Sequence, residues 1–90
     1  MASRYEWDRA EALANRAKHG VDFADAVVAL EDAFAVTVPD PDFHAEKRFV
    51  TIGTDAMGRL VVVIHAARGA NVRIISARLA TRKERLSYEG

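Results

Sequence analysis

Three strand-like runs follow one another with almost nothing between them. Arg48–Gly53, Leu60–His65 and Val72–Ala77 are joined only by Thr54–Arg59 and Ala66–Asn71, which contain Gly58 and Gly69. A parallel neighbour needs a crossover of about a dozen residues or more, so these connections leave only antiparallel pairing. Leu60-Val61-Val62-Val63-Ile64 is apolar at both parities, which marks a strand covered on both faces and therefore central. Upstream, Phe34, Val36 and Val38 alternate with Ala35 and Thr37, a period of two that predicts a further strand. Pro39-Asp40-Pro41-Asp42 interrupts it, because neither proline has an N–H to give to a ladder.

Helices flank this region. Asp8 with Glu11 three residues on reads as a capping-box-like start, and Trp7, Ala10, Leu13, Ala14 and Ala17 recur at helical spacing as the apolar stripe. Lys18-His19-Gly20 ends that helix, with cations matched to its dipole and a glycine for the left-handed position. Asp22 predicts the next N-cap, with Phe23, Ala26, Val27 and Leu30 as the buried stripe. Thr81-Arg82-Lys83-Glu84 is a capping box opening a last helix that runs to about Tyr88. The expected fold is α+β: two N-terminal helices, a four-stranded antiparallel sheet and a C-terminal helix, with Tyr5–Trp7 as a candidate edge strand.

Ninety residues make one domain, 1–90, and half of them are hydrophobic, enough for a core. Cysteine is absent, which removes disulfides, thiolate metal sites and a cysteine nucleophile. No stretch approaches the roughly 20 apolar residues that cross a bilayer. The first eight residues have no apolar core of a signal peptide, and a cytoplasmic location is expected.

The zero net charge hides a division. Residues 1–46 hold four bases against ten acids, while residues 47–90 hold nine bases against three acids. Such asymmetry points to a polyanion-binding surface, unless folding intermixes the halves. The densest cationic stretch runs from Arg73 through Arg78 to Arg82, Lys83 and Arg85. Arg73 and Arg78 lie at opposite parity, so in a regular strand they would point to different faces. Arg82 and Lys83 fall in a first helical turn, where cations oppose the dipole but make an anion site. Arg48 is expected beside this group, with a salt bridge to Glu46 or Asp55 as the alternative. Guanidinium groups match phosphate oxygens in bidentate geometry. The cations of the last strand and closing helix are expected to converge on one concave patch.

His65, at the end of the central strand, is the candidate for proton transfer, against a satisfied core histidine. His19 reads as a helix-end cation and His44 as a loop residue. Asp40, Asp42 and His44 form only a weak metal pattern, so no cofactor or metal is expected. Phosphate-binding glycine loops, a G-x-S-x-G elbow and H-E-x-x-H are missing.

Taken together, Tyr5-Glu6-Trp7-Asp8, Asn15, Lys18-His19-Gly20-Val21, Phe23, Glu46-Lys47-Arg48-Phe49, Ile52-Gly53, Leu60-Val61-Val62-Val63 and Arg73-Ile74-Ile75-Ser76-Ala77-Arg78 closely resemble the BrnT family. Thr81-Arg82-Lys83-Glu84-Arg85 with Tyr88 extends the likeness over nearly the whole chain. The resemblance implies a RelE-like fold and a ribonuclease toxin that halts translation by cutting RNA. It also implies a BrnA-like ribbon-helix-helix antitoxin, operator DNA bound only through that antitoxin, and a toxin dimer in the complex. Carried onto this chain, it points to Lys18, His19, Arg48, Arg73 and Arg78. It does not extend to His65, where the family often has an aromatic or another polar residue.

The expected activity is therefore metal-independent endoribonuclease cleavage, with Arg78, Arg73, Arg48 and His65 as the catalytic set. Lys18, His19, Arg82, Lys83 and Arg85 are the expected RNA-binding set. The rival readings are a non-catalytic RNA- or protein-binding module and a purely structural subunit.

Overall fold

The helix-ending and helix-starting signals act where the sequence places them. The computed structural model describes residues 4–41 and 47–89. Along the chain run β1 (Tyr5–Glu6), α1 (Arg9–His19), α2 (Phe23–Leu30), β2 (Val36–Pro39), β3 (Arg48–Thr54), β4 (Leu60–Arg68), β5 (Asn71–Leu79) and α3 (Arg82–Glu89). Asp8 accepts from the Glu11 N–H at 2.9 Å, and Gly20 ends α1 in the left-handed region at φ 70°. Asp22 occupies the N-cap of α2 without a capping bond and instead faces Arg16 at 3.4 Å. The capping box of α3 closes both ways: Glu84 N–H donates to Thr81 Oγ1, and Thr81 N–H donates to Glu84 Oε1.

The sheet is five-stranded and mixed, in the order β1-β5-β4-β3-β2, rather than four-stranded and antiparallel. β2 through β5 form the expected antiparallel meander, and β1 joins β5 in parallel, Tyr5 opposite Val72 and Glu6 opposite Arg73. Parallel pairing needs a crossover, and here the rest of the protein between residues 6 and 71 provides it. β4 is central, with Val61, Val62 and Val63 buried. Val61 and Val63 meet Val21, Phe23, Ala26 and Ala29 in the core, so the odd-numbered face of β4 is the helix face. Gly53 sits so close to α2 that a Cβ there would lie 2.5 Å from the Ala29 carbonyl oxygen.

The first helix turns a different face inward than its apolar stripe predicts. Leu13 is 60% exposed, and Ala10, Ala14 and Ala17 are exposed as well. Asn15 is the buried residue of α1. Its amide donates to the carbonyls of Ala77 at 2.8 Å and Val21 at 3.0 Å, and its oxygen accepts from the Ala77 N–H at 3.1 Å. β1 pairs only with the start of β5, so the edge at Ala77 needs another partner, and one side-chain amide supplies both donor and acceptor. Unpaired buried backbone groups cost more than exposed alanine methyls, which sets the rotation of the helix.

β5 is irregular. Ile64 lies opposite Ser76 but His65 lies opposite Ile74, leaving Ile75 as the extra residue of a bulge.

Asn15→Ala should cost about 3 kcal/mol in urea denaturation, because it orphans buried backbone groups at Ala77 and Val21. Gly53→Ala should cost about 1–3 kcal/mol in the same measurement, through the clash with α2.

Candidate functional site

The bulge decides where the arginines point. Arg78 lies opposite Val62 and Arg73 opposite Ala66, and these two β4 residues are four apart on one strand. Without the bulge the two arginines would diverge, as their parity suggests; with it they share the even-numbered face, away from the core helices. Arg48 lies opposite Ala66 in β3 and joins that face.

Arg48 and Arg73, with Arg68, line a recess of about 160 Å³ that also includes Glu11, Ala66 and Ile75. Arg73 is anchored by two carboxylates, Glu11 at 3.5 Å and Glu6 at 3.8 Å, and Arg68 reaches Glu6 at 3.4 Å. These ion pairs join the acidic first half of the chain to the basic second half. The Glu46 alternative for Arg48 falls outside the described residues, as do Asp42 and His44. Asp55 is engaged elsewhere, paired with Arg59 at 2.8 Å.

The remaining cations do not converge on this recess. Arg78 shares its face but lies four residues further along the sheet, roughly 13 Å away at 3.3 Å per residue. It makes a two-pronged bond to Glu84, 2.8 and 2.9 Å. That guanidinium, with the Thr81 N–H, holds the Glu84 carboxyl down to about 2, and Glu84 in turn raises Arg78. Arg78 thus ties the start of α3 to the sheet. Arg82 and Arg85 border hollows around α3, and Lys83 is exposed. Lys18, exposed, and His19, half-buried, end α1, where the Gly20 carbonyl accepts from Arg59 at 3.1 Å. That places them by the β3–β4 turn, six strand residues or roughly 20 Å from the Arg48 row. A hollow of about 400 Å³ at that end contains Arg59 and Arg85. Its Arg59 is bonded to Asp55 and Gly20.

His65 is one residue from Ala66 and faces the opposite side of the sheet from the arginines, so the structure does not bring it to them. Its Nε2 is 2.7 Å from Thr51 Oγ1, which is 2.6 Å from Thr37 Oγ1. Its ring stacks on Phe49 at 5.8 Å. Burial pushes the imidazole below its ordinary pKa of 6.5, so it is neutral at neutral pH. The bulge and the Thr51–His65 bond lay beyond sequence reasoning. The one signal available was the shared parity of Thr37, Thr51 and His65 within their strands.

The fold and site define a small α+β protein with Arg48, Arg68 and Arg73 gathered in one recess of a mixed five-stranded sheet. Its sequence narrows that class. The profile of the ribonuclease toxin BrnT of type II toxin–antitoxin systems matches residues 7–84, and the chain belongs to that family. The crystal structure of the Brucella abortus ribonuclease toxin BrnT is similar, with 30% identity and a TM-score of 0.72 over 90% of this chain and 100% of that one. No curated protein sequence matches. A type II system pairs its toxin with an antitoxin, so the family implies such a partner for this chain. Among the described residues no helix is long and apolar enough to cross a membrane, and no cluster of metal-ligating side chains occurs.

The neutral imidazole of His65 predicts a pH effect. An unfolded histidine gains its proton at about 6.5, and the folded one gains it only at lower pH. The unfolded state therefore binds more protons, and stability falls as pH drops below about 6.5. In denaturation at pH 7 and pH 5, His65→Gln should lose less stability between the two than the unsubstituted protein does.

Proposed function

We propose that this protein is an endoribonuclease toxin that cuts single-stranded RNA without a metal ion and thereby stops translation and growth. The observation that carries the reading is the recess in which the bulge of β5 sets Arg73 beside Arg48 and Arg68. Arg48 and Arg73, with Arg68, seat the scissile phosphate, and Arg82, Lys83 and Arg85 of α3 extend a cationic track beyond the anchoring Arg78. Lys18 and His19 stand at the far end of that track.

Cleavage begins with the substrate's own 2′-hydroxyl, which attacks the adjacent phosphorus and expels the 5′-oxygen, leaving a cyclic phosphate. Negative charge builds on the phosphate oxygens, and guanidinium groups held by Glu6 and Glu11 meet it without reorganising. Arginine keeps its proton throughout the physiological range, so the arginines stabilise charge and do not transfer protons. Glu11, which lines the same recess, has the chemistry to accept the 2′-hydroxyl proton, and solvent water supplies the proton that the departing 5′-oxygen takes up.

The partner in this reading is a BrnA-like ribbon-helix-helix antitoxin that neutralises the toxin, carries the complex to operator DNA and holds two toxin copies. The protein acts in the cytoplasm, where its RNA and its partner are made.

Purified protein with single-stranded RNA in EDTA should yield fragments ending in a cyclic phosphate. Arg48→Ala and Arg73→Ala should each slow cleavage by about 10²–10³-fold, the scale for loss of one oxyanion-stabilising donor. Binding without any cleavage would favour the non-catalytic module, and unchanged cleavage in both variants would move the site away from the recess.

A further inference from the structure

Beside the arginine recess, on the same face of the sheet, runs a strip without charge. Val38, Val50, Ile64 and Ser76 lie opposite one another across β2, β3, β4 and β5, at the even-numbered positions that point away from α1 and α2. Their row is two residues from the row of Arg48, Ala66 and Arg73, roughly 7 Å at 3.3 Å per residue. Both rows cross the same strands, so no strand separates them. On the far side α3 crosses the next row, where Val36 and Ile52 share a hollow with Glu84, Ser87 and Tyr88. Val38 is 49% exposed, and Val50, Ile64 and Ser76 are half-buried.

The bulge brings the one polar group of the strip to this side. Counted from Arg73 by strict alternation, Ser76 would face the helices; the extra residue Ile75 turns it to the side of the arginines. Its hydroxyl makes no hydrogen bond among the described residues, and a hydroxyl can both donate and accept. The recess and the strip together therefore offer guanidinium groups, then an aliphatic floor, then one hydrogen-bonding group. A nucleotide has the matching order: an anionic phosphate, a flat base with apolar faces, and a polar base edge.

We infer that this strip is a nucleobase subsite. An RNA strand with a phosphate among Arg48, Arg68 and Arg73 lays the adjoining base flat on Val50 and Ile64 and sets its polar edge against the Ser76 hydroxyl. The inference rests on the RNA reading above and adds to it the element that places one nucleotide for cutting.

The test uses full-length protein and a 2′-O-methyl trinucleotide, which binds but cannot be cut because the attacking hydroxyl is blocked. In NMR titration the methyl resonances of Val50 and Ile64 should move upfield under the ring current of the base and show contacts to base protons. Both signals should vanish with one of three versions carrying an abasic residue at each position in turn. Ser76→Ala should weaken binding of the intact trinucleotide by about 2- to 10-fold, the range for loss of one hydrogen bond. It should bind the critical abasic version as the unsubstituted protein does. If the intact trinucleotide binds through Arg48 and Arg73, as alanine variants would reveal, without methyl contacts to any base, the subsite is wrong. A protein segment is then the remaining occupant of the strip, and the nuclease reading stands. An unsubstituted protein that neither binds nor cuts RNA removes both. The titration of the unsubstituted protein decides the question even if Ser76→Ala does not fold.

Discussion

The outer edge of β5 is the constraint around which the molecule is arranged. A strand in that position presents N–H and C=O groups that must be paired or wetted. Val72 and Arg73 on that edge are met by β1, and the groups at Ala77 by the side-chain amide of Asn15. The same amide holds Val21, where the chain turns from α1 into α2. One polar side chain thus fixes the height and rotation of α1, the turn that follows it, and the path by which β1 reaches the sheet. It also sets Glu11, one helical turn earlier, beside Arg73.

That arrangement gives the charge segregation of the sequence its physical form. The acids of the first half are not simply a solvated face, since Glu6 and Glu11 grip Arg68 and Arg73 from the neighbouring elements. A guanidinium held on one side by carboxylates keeps its charge and its direction, which suits electrostatic stabilisation better than a freely rotating side chain does. Arg78 is used differently. Its two bonds to Glu84 anchor the capping box of α3, a helix that buries none of its own residues. The cationic stretch that reads as a single site therefore divides between the recess and the anchoring of α3.

Much of the fold was legible because its signals are local. Caps, turn glycines and strand alternation each depend on a few consecutive residues, and Asp8, Gly20, Gly58, Thr81 and Glu84 stand where those rules put them. The helical stripe misled because alanine costs little to expose. Trp7, Ala10, Leu13, Ala14 and Ala17 look like a core face until the backbone requirement at Ala77 is known. The candidate site was legible as a set of residue types and a family likeness, and not as a geometry.

The sequence by itself determined the order of the elements, the antiparallel course of the meander, the centrality of β4 and the membership of the BrnT family, because short connections, periodicity and local motifs carry that information. The tertiary structure alone decided which faces the candidate site side chains share. One extra residue, Ile75, turns Arg73 to the side of Arg78 and Arg48, and the strand register leaves His65 behind on the other side with Phe49 and Thr51. Bulges and registers are settled by pairing between strands distant in sequence, and a period of two read along one strand cannot report where that period slips.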